Sequence, residues 1–166
     1  MARCVVSDAS PLIGLAIVDG LGWLPKLFGK VWIPPSVYGE VLPGVGARGE
    51  SEITLALKRR NVQVWKRAVA PVQVQMPDLD AGETDCIALA LSAGAGNALI
   101  LMDERAGRAV ATGLGIRVAG TAAVIGLAKK RGLVDSARDR FERLHGTDFR
   151  IGAAVIHAVL REVAEA

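Results

Sequence analysis

Four acidic residues are the part of this sequence best suited to chemistry: Asp8, Glu40, Asp85 and Asp103. Asp8 and Asp103 each follow a short apolar run that predicts a buried strand. Residues that follow parallel strands lie at the same edge of a sheet, so the four carboxylates can converge on one cleft. Converging carboxylates repel one another unless some stay protonated or a cation lies between them. A cluster of oxygen ligands without His or Cys suits Mg²⁺ or Mn²⁺ rather than zinc.

Each of these acids, taken alone, also has a structural explanation. Asp8 could cap the helix that follows it, and Glu40 could be a solvated helix residue. Asp103 and Glu104 could occupy the first turn of a helix, where acids interact favourably with the helix dipole. Only together, at the strand ends of one sheet, do the four acids indicate a site.

A fifth acidic residue, Glu83, competes with Asp85 for a place in such a site. With Asp80 as the N-cap, Glu83 takes the third helical position, and the pair predicts a capping box. Residues two apart on a helix point about 200° apart, so Glu83 and Asp85 cannot face one cleft equally. The capping role of Glu83 favours Asp85 as the ligand. Glu83 stays in reserve, because the helix has no clear polar face to fix its orientation.

The elements that would position these residues alternate between strand and helix along the chain. Strands are predicted over 4–6, 31–33, 62–65, 98–102 and 117–118. One helix is predicted to start at Ser10, whose side chain would be the N-cap, with Pro11 at the first helical position. Further helices are predicted over 36–42, 50–60, 80–93, 105–112, 121–131, 136–144 and 151–164. An irregular linker is expected from 66 to 77. Alternating short apolar strands and helices predict an α/β fold, with a parallel sheet covered on both faces.

The composition is that of a folded protein of one domain. Its 166 residues are 51% hydrophobic, so we expect a packed core, and the net charge of +3 allows a polyanionic partner without requiring one. Cys4 and Cys86 are far apart and form no C-x-x-C motif, which favours two buried, reduced thiols in a cytoplasmic protein. The longest apolar run, from Cys86 to Leu91, is far shorter than the ~20 residues that span a bilayer. We expect no membrane segment and no signal peptide.

Five segments, in this order, resemble the PIN-domain family. They are V-V-S-D-A-S at 5–10, I-P-P-S-V-Y-G-E-V at 33–41, L-D-A-G-E-T-D-C-I-A-L-A at 79–90, L-I-L-M-D-E at 99–104 and V-A-G-T at 118–121. The resemblance is strongest over 3–133, which leaves 134–166 as C-terminal helices of one domain spanning 1–166. The interval of 18 positions from Asp85 to Asp103 also looks like the interval that usually separates the last two acids of the family. The chain is most similar to toxin-like, VapC-related members, of a little-characterised branch that has a Gly-Glu motif before the third acid.

This resemblance implies a three-layer α/β/α sandwich around a parallel sheet of about five strands. It also implies a ribonuclease that depends on Mg²⁺ or Mn²⁺, in which water activated by one or two metal ions hydrolyses RNA phosphodiester bonds. No protein nucleophile is needed. As the toxin of a toxin–antitoxin pair, the protein would be neutralised by a small antitoxin and would form a homodimer in the cytoplasm.

The resemblance assigns roles to individual residues as well. The metal-binding and catalytic quartet would be Asp8, Glu40, Asp85 and Asp103, with Glu83 and Glu104 in reserve. Ser10 would donate a hydrogen bond to a ligand carboxylate or to a metal-bound water.

Two other functions are open. The first is a catalytically silent PIN module that binds RNA or protein. The second is a dinucleotide-binding domain, because Gly44–Gly49 matches G-x-G-x-x-G. A dinucleotide site needs a strand directly before the glycines, whereas Pro43 and a predicted helix precede them here. We therefore favour a surface loop, in which Arg48 could contact a phosphate.

Overall fold

The computed structural model describes residues 2–72, 76 and 78–166. Within these ranges, five parallel strands form one sheet in the order β3-β2-β1-β4-β5. The strands are β1 (Cys4–Ser7), β2 (Val31–Ile33), β3 (Gln63–Val64), β4 (Ala98–Leu101) and β5 (Arg117–Ala119). Helices cover the sheet, so the predicted α/β/α sandwich around a parallel sheet of about five strands is confirmed.

All of the helices except the second, Trp23–Phe28, which was not predicted, follow the predicted positions, with ends that differ by a residue or two. They are α1 (Ala9–Ile17), α2 (Trp23–Phe28), α3 (Pro35–Val41), α4 (Glu50–Lys58), α5 (Ala81–Ala93), α6 (Arg105–Gly113), α7 (Thr121–Lys130), α8 (Ala137–His145) and α9 (Ala153–Glu162). A single 3-10 turn, Ala95–Asn97, joins α5 to β4. Of the linker predicted over 66–77, residues 73–75 and 77 lie outside the described residues, and the others have no regular structure.

The start of α1 corrects one prediction. The helix begins at Ala9 with Asp8 in the N-cap position, so Ser10 is not the cap. The side chain of Asp8 makes no capping hydrogen bond either. Neither local explanation therefore accounts for these two polar side chains at the end of β1.

The strand order determines where a site can form. β1 lies in the centre of the sheet, where Val6 is paired with Trp32 of β2 and with Ile100 of β4. The chain moves outward from β1 to β3 and then returns to the other side of β1 with β4. The strand order thus reverses between β1 and β4, and the crevice beyond their carboxyl ends is the usual ligand site of such sheets. Asp8 and Asp103 both lie there.

Helix α5 is the buried helix that its apolar sequence predicts. It packs on β1 and β4, and Cys86, Ile87 and Leu89 lie in the core. Cys4 and Cys86 are both free and buried, as expected for reduced thiols. In the described parts of the chain, every helix is too short or too polar to cross a membrane.

The C-terminal helices pack back on α7. The carboxylate of Glu165 accepts hydrogen bonds from Ser136 Oγ at 2.8 Å and from the backbone N–H of Ala137 at 2.7 Å, which caps the start of α8. Between α8 and α9, the ring of Phe149 lies against α1: a Cβ placed on Gly14 would be only 2.8 Å from Phe149 Cζ. The absent side chain of Gly14 thus lets the C-terminal segment approach the helix that begins at Asp8.

Candidate active site

Asp8 is the most unusual residue of the site. Its side chain is 4% exposed, and its Oδ1 atom has no hydrogen-bond partner among the described residues. Burial raises the pKa of Asp8 to about 7; the backbone N–H of Ala9 acts in the opposite direction, and the negative charges of Asp80, Glu40 and Glu83 raise the pKa further. A buried carboxylate oxygen without a partner is costly, unless the group is protonated or a cation binds to it.

Glu40 of α3 reaches the same place from the opposite side. A Cβ placed on Gly82 would lie 3.1 Å from Asp8 Oδ1 and 3.3 Å from Glu40 Oε2. The two carboxylates therefore meet at the first turn of α5, where a glycine leaves room for both. Partial desolvation raises the pKa of Glu40, and the charges of Asp80 and Glu83 raise it further.

The predicted capping box is present at the start of α5. Asp80 Oδ1 accepts from the backbone N–H of Glu83 at 2.8 Å, and Glu83 Oε2 accepts from the backbone N–H of Asp80 at 3.0 Å. The cap does not remove Glu83 from the acidic cluster. Glu83 is 5% exposed, and burial, Asp80 and Glu104 all raise its pKa. Glu104 itself is exposed, at the N-cap of α6, and its side chain makes no capping hydrogen bond.

Asp85 faces a different direction from Glu83, as the helical geometry requires. It is exposed, and its Oδ2 atom accepts a 2.6 Å hydrogen bond from Ser36 Oγ. It lines a cleft of about 530 Å³ together with Pro34 and Trp65. The structure thus brings Asp8, Glu40 and Glu83 together and places Asp85 beside Ser36.

Asp103 is held in one orientation by three donors. Ser10 Oγ donates to Oδ2 at 2.7 Å, Thr121 Oγ1 donates to the same atom at 2.8 Å, and the backbone N–H of Thr121 donates to Oδ1 at 2.7 Å. These bonds connect the ends of β1, β4 and β5. These bonds fix the direction of the carboxylate, as partners of a metal ligand commonly do.

Sequence reasoning missed two residues beside Asp103. Thr121 begins α7, one residue beyond the end of β5, so the rule that selected Asp8 and Asp103, a polar residue just past the end of a strand, could have found it. Arg108 of α6 donates from Nη1 to the carbonyl of Met102 at 2.9 Å. A Cβ on Gly120 would lie 2.9 Å from Asp103 Oδ1 and 3.0 Å from Arg108 Nη1, so this guanidinium lies close to the carboxylate. No pattern in the sequence indicated Arg108.

The donor set of the cluster fits a hard divalent cation. Carboxylate oxygens are the ligands that Mg²⁺ and Mn²⁺ prefer, and Asp8 Oδ1 has an open coordination position. Over residues 2–72, 76 and 78–166, no three His, Cys, Asp or Glu side chains lie close enough together to form a ready-made metal site. A cation would therefore have to draw the carboxylates closer together.

The glycine loop does not have the features of a dinucleotide site. It follows α3 rather than a strand, and its amides already have a partner in the chain: Gly44 N–H and Gly46 N–H each donate to the Glu50 carboxylate at 2.8 Å. Arg48 pairs with Asp148 at 3.5 Å, at the surface. The loop is thus a surface turn closed by Glu50, as its sequence context favours.

The comparison with protein families agrees with this architecture. A family model described as a PIN domain matches residues 4–165, so the chain belongs to the PIN-domain family. The predicted membership of the PIN-domain family is thereby confirmed. PIN domains are commonly nucleases, and they typically use divalent metal ions. No curated protein and no solved structure gives a significant match to this chain.

Proposed function

We propose that this protein is a ribonuclease dependent on Mg²⁺ or Mn²⁺, and that its site comprises Asp8, Glu40, Glu83 and Asp103. The observation that carries the proposal is the unpartnered, buried Oδ1 of Asp8, which lies among like charges at the point where the strand order reverses. Nothing in the packing of α1 requires a carboxylate at that position. A cation would make the carboxylate favourable there.

The charge balance of the cluster supports a bound cation. The ion pairs of the described residues are Arg48–Asp148, Lys130–Glu162 and Arg143–Asp19, and none of them includes an acid of the proposed site. Asp8, Glu40 and Glu83 thus repel one another without a basic side chain in their midst. Held by these carboxylates, a divalent ion would supply the missing positive charge.

The sequence and the structure favour different residues of α5 as the third acid of the site. The sequence favoured Asp85, whereas Glu83 is the buried acid that shares the environment of Asp8 and Glu40. We propose Glu83 as the ligand. Asp85, in its bond with Ser36, would then stabilise the contact between α3 and α5.

The protein's own residues divide the remaining tasks. Ser10 and Thr121 orient Asp103, and the capping box holds Glu83 at the start of α5. Bound Mg²⁺ or Mn²⁺ supplies Lewis acidity, which polarises a phosphodiester and lowers the pKa of a water molecule. Arg108, beside Asp103, is placed to contact the anionic phosphate of the substrate.

The test is cleavage of single-stranded RNA by the purified protein with Mg²⁺ or Mn²⁺. We expect cleavage that EDTA abolishes and that Asp8→Asn lowers by at least about 100-fold, because the ligand charge is lost. Asp135→Asn is the matched control, since Asp135 is an exposed acid at the start of α8, away from the cluster. Absence of cleavage with either metal would contradict the proposal.

A silent PIN module is the second candidate, because the described carboxylates form no ready-made metal site. Such a module would bind RNA with the same affinity before and after Asp8→Asn, and it would not cleave RNA under any metal condition.

The toxin role, the small antitoxin and the homodimer remain part of the proposal. A toxin of this kind would arrest growth when it is expressed alone, and Asp8→Asn would relieve the arrest. Co-expression with the product of a neighbouring short reading frame would restore growth, and sedimentation would show a dimer. Normal growth of cells that express active protein would contradict the toxin role.

A further inference from the structure

The C-terminal segment forms a second wall beside the acidic cluster. A cleft of about 560 Å³ opens from Ser10, Asp103 and Arg108 and continues along the segment between α8 and α9. Its volume lies within the range of small-molecule sites, roughly 300–1,000 Å³. The cleft joins the proposed active site directly, because Ser10 and Asp103 line both.

The far wall of the cleft is apolar. Phe149, Ile151, Val155 and Val159 line it, and Val155 is 51% exposed. An apolar side chain that is exposed inside a cleft next to polar groups is typical of a binding site rather than of a solvated surface. The flat face of a nucleobase is a ligand that such a wall accommodates.

Two basic side chains line the cleft. Arg108 lies close to Asp103, and Arg150 stands between the wall residues Phe149 and Ile151 in the sequence. The contacts of Arg150 all use Nη1, which donates to the carbonyls of His145, Thr147 and Phe149. A guanidinium has five N–H donors, so Nη2 and Nε are available to a phosphate. The acids of the cleft are Asp103, Glu104 and Asp148, and Asp148 is paired with Arg48.

The wall is fixed relative to the acids rather than loosely attached. The ring of Phe149 and the methyl group of Thr121 both lie against Gly14, and the hydroxyl of Thr121 holds Asp103. Gly14 is thus the point at which the apolar wall and a residue that orients the proposed metal ligand both approach α1. The distance from the wall to the acids is therefore set by packing.

We propose that this cleft binds the nucleotide next to the scissile phosphate of single-stranded RNA, with the base on the Phe149–Val159 wall and the flanking phosphates near Arg108 and Arg150. The proposal rests on the ribonuclease function and extends it to a substrate subsite. Single-stranded RNA fits because its bases are free to leave a stack and its phosphates follow one another closely.

The experiment measures binding separately from cleavage. A fluorescein-labelled single-stranded RNA of ten nucleotides is titrated with Asp8→Asn protein in Mg²⁺ buffer, and anisotropy is recorded at several salt concentrations. In that background, Arg150→Ala should weaken binding by about 3- to 10-fold and lower the slope of log K against log salt by roughly 0.7 for the lost phosphate contact. Val155→Asp should weaken binding by about 10-fold or more, because it places a negative charge beside the RNA.

Matched controls carry the same changes outside the cleft. Arg161→Ala removes an exposed arginine from α9, and Leu55→Asp adds a charge at a half-exposed apolar position on α4. Neither should change RNA affinity by more than about 2-fold. Thermal melts show whether each variant is folded, which matters for Arg150→Ala because it also removes the hydrogen bonds from Nη1 to the carbonyls of His145, Thr147 and Phe149.

The outcomes separate this proposal from the proposed function. If the wild-type protein cleaves RNA but Arg150→Ala and Val155→Asp bind as tightly as their parent, the subsite is wrong and the nuclease stands. Equal weakening by Arg161→Ala would show only general attraction to basic charge, and it would also overturn the subsite. If Val155→Asp changes the oligomeric state and leaves RNA affinity intact, the wall belongs to a protein interface. Absence of cleavage by the wild type contradicts the proposed function itself.

Discussion

Ser10 Oγ donates a 2.7 Å hydrogen bond to Asp103 Oδ2, across a separation of 93 residues in the sequence. The bond spans the gap between β1 and β4, at the point where the strand order reverses. The bond fixes the orientation of Asp103, a proposed metal ligand. Its donor, Ser10, belongs to α1, and the N-cap of that helix, Asp8, is another proposed ligand. The hydroxyl that local reasoning assigned to a helix cap thus serves a long-range contact.

Ser10→Ala should therefore impair the site more than the fold. Asp103 would keep its two bonds from Thr121, so the loss of stability should be about 1 kcal/mol. Mn²⁺ affinity and RNA cleavage should fall by about 10- to 100-fold, as is typical when a group that orients a ligand is removed. Calorimetric titration with Mn²⁺ and a cleavage assay measure both effects. Ser10→Thr should restore most of the activity, and Ser51→Ala, at an exposed position of α4, should have no effect.

The buried carboxyl of Asp8 should make the stability of the metal-free protein fall as the pH rises. Its folded pKa of about 7 lies above the usual value of 3.8 for an aspartate, so the fold binds this proton more tightly than the unfolded chain does. The stabilising contribution is complete below about pH 4 and is lost as the pH rises through 7. In EDTA, Asp8→Asn should remove this dependence and stabilise the protein at pH 8 by on the order of 2–4 kcal/mol.

Urea unfolding at pH 5 and pH 8 measures the Asp8 effect, with Asp135→Asn as the control. Mn²⁺ at pH 8 should stabilise the wild type more than Asp8→Asn, because the cation favours the charged carboxylate. An Asp8→Asn variant that is destabilised equally at both pH values would show that the buried carboxyl has no unusual proton affinity.

Charge-neutralising changes on α5 should show which acid binds the metal. Glu83→Gln keeps the capping box, because Gln can also accept the hydrogen bond from the N-cap backbone. It should therefore leave the melting temperature nearly unchanged while lowering Mn²⁺ affinity by about 10-fold or more. Asp85→Asn keeps a carbonyl oxygen for Ser36 and should have little effect on Mn²⁺ affinity. The opposite ranking in a Mn²⁺ titration would restore Asp85 as the ligand.

Gly14 should tolerate no side chain. A Cβ there would lie 2.8 Å from Phe149 Cζ and 3.0 Å from Thr121 Cγ2, so the ring and the C-terminal segment would have to move. We expect Gly14→Ala to lower the free energy of unfolding by about 1–3 kcal/mol. Gly113→Ala, at a helical glycine with open space around it, should be neutral or slightly stabilising. Chemical unfolding measures the stability of both variants. Equal stability of Gly14→Ala and Gly113→Ala would mean that the C-terminal segment does not pack tightly against α1.

The regular elements could be predicted because their signals are local. Apolar runs such as Ala98–Leu101 and the capping box at Asp80 and Glu83 are properties of a few neighbouring residues, and the structure agrees with them. Helix α2 was missed because Gly20 and Gly22 precede it and Pro25 lies within it. Proline is tolerated in the first turn of a helix, where its missing N–H has no partner to lose.

The site was harder to predict because its geometry depends on long-range contacts. The orientation of Ser10 depends on β4, and the position of Arg108 depends on the turn after β5. The choice between Glu83 and Asp85 depends on which face of α5 packs on β1 and β4, and a helix that is apolar on most faces does not encode that choice in its periodicity. The acidic residues were evident in the sequence, but which of the two on α5 lies beside Asp8 and Glu40 was not.

The central place of β1 has a consequence for synthesis of the chain. The partner of β1 on one side, β4, is made long after β1 itself, and the residues that hold Asp103 extend to Thr121. A chain that is still growing on the ribosome therefore has no complete acidic cluster until most of it has emerged and folded back on its first strand. For a protein proposed to cut RNA, this order of assembly would leave the nascent chain without a complete site during most of its synthesis on its own message.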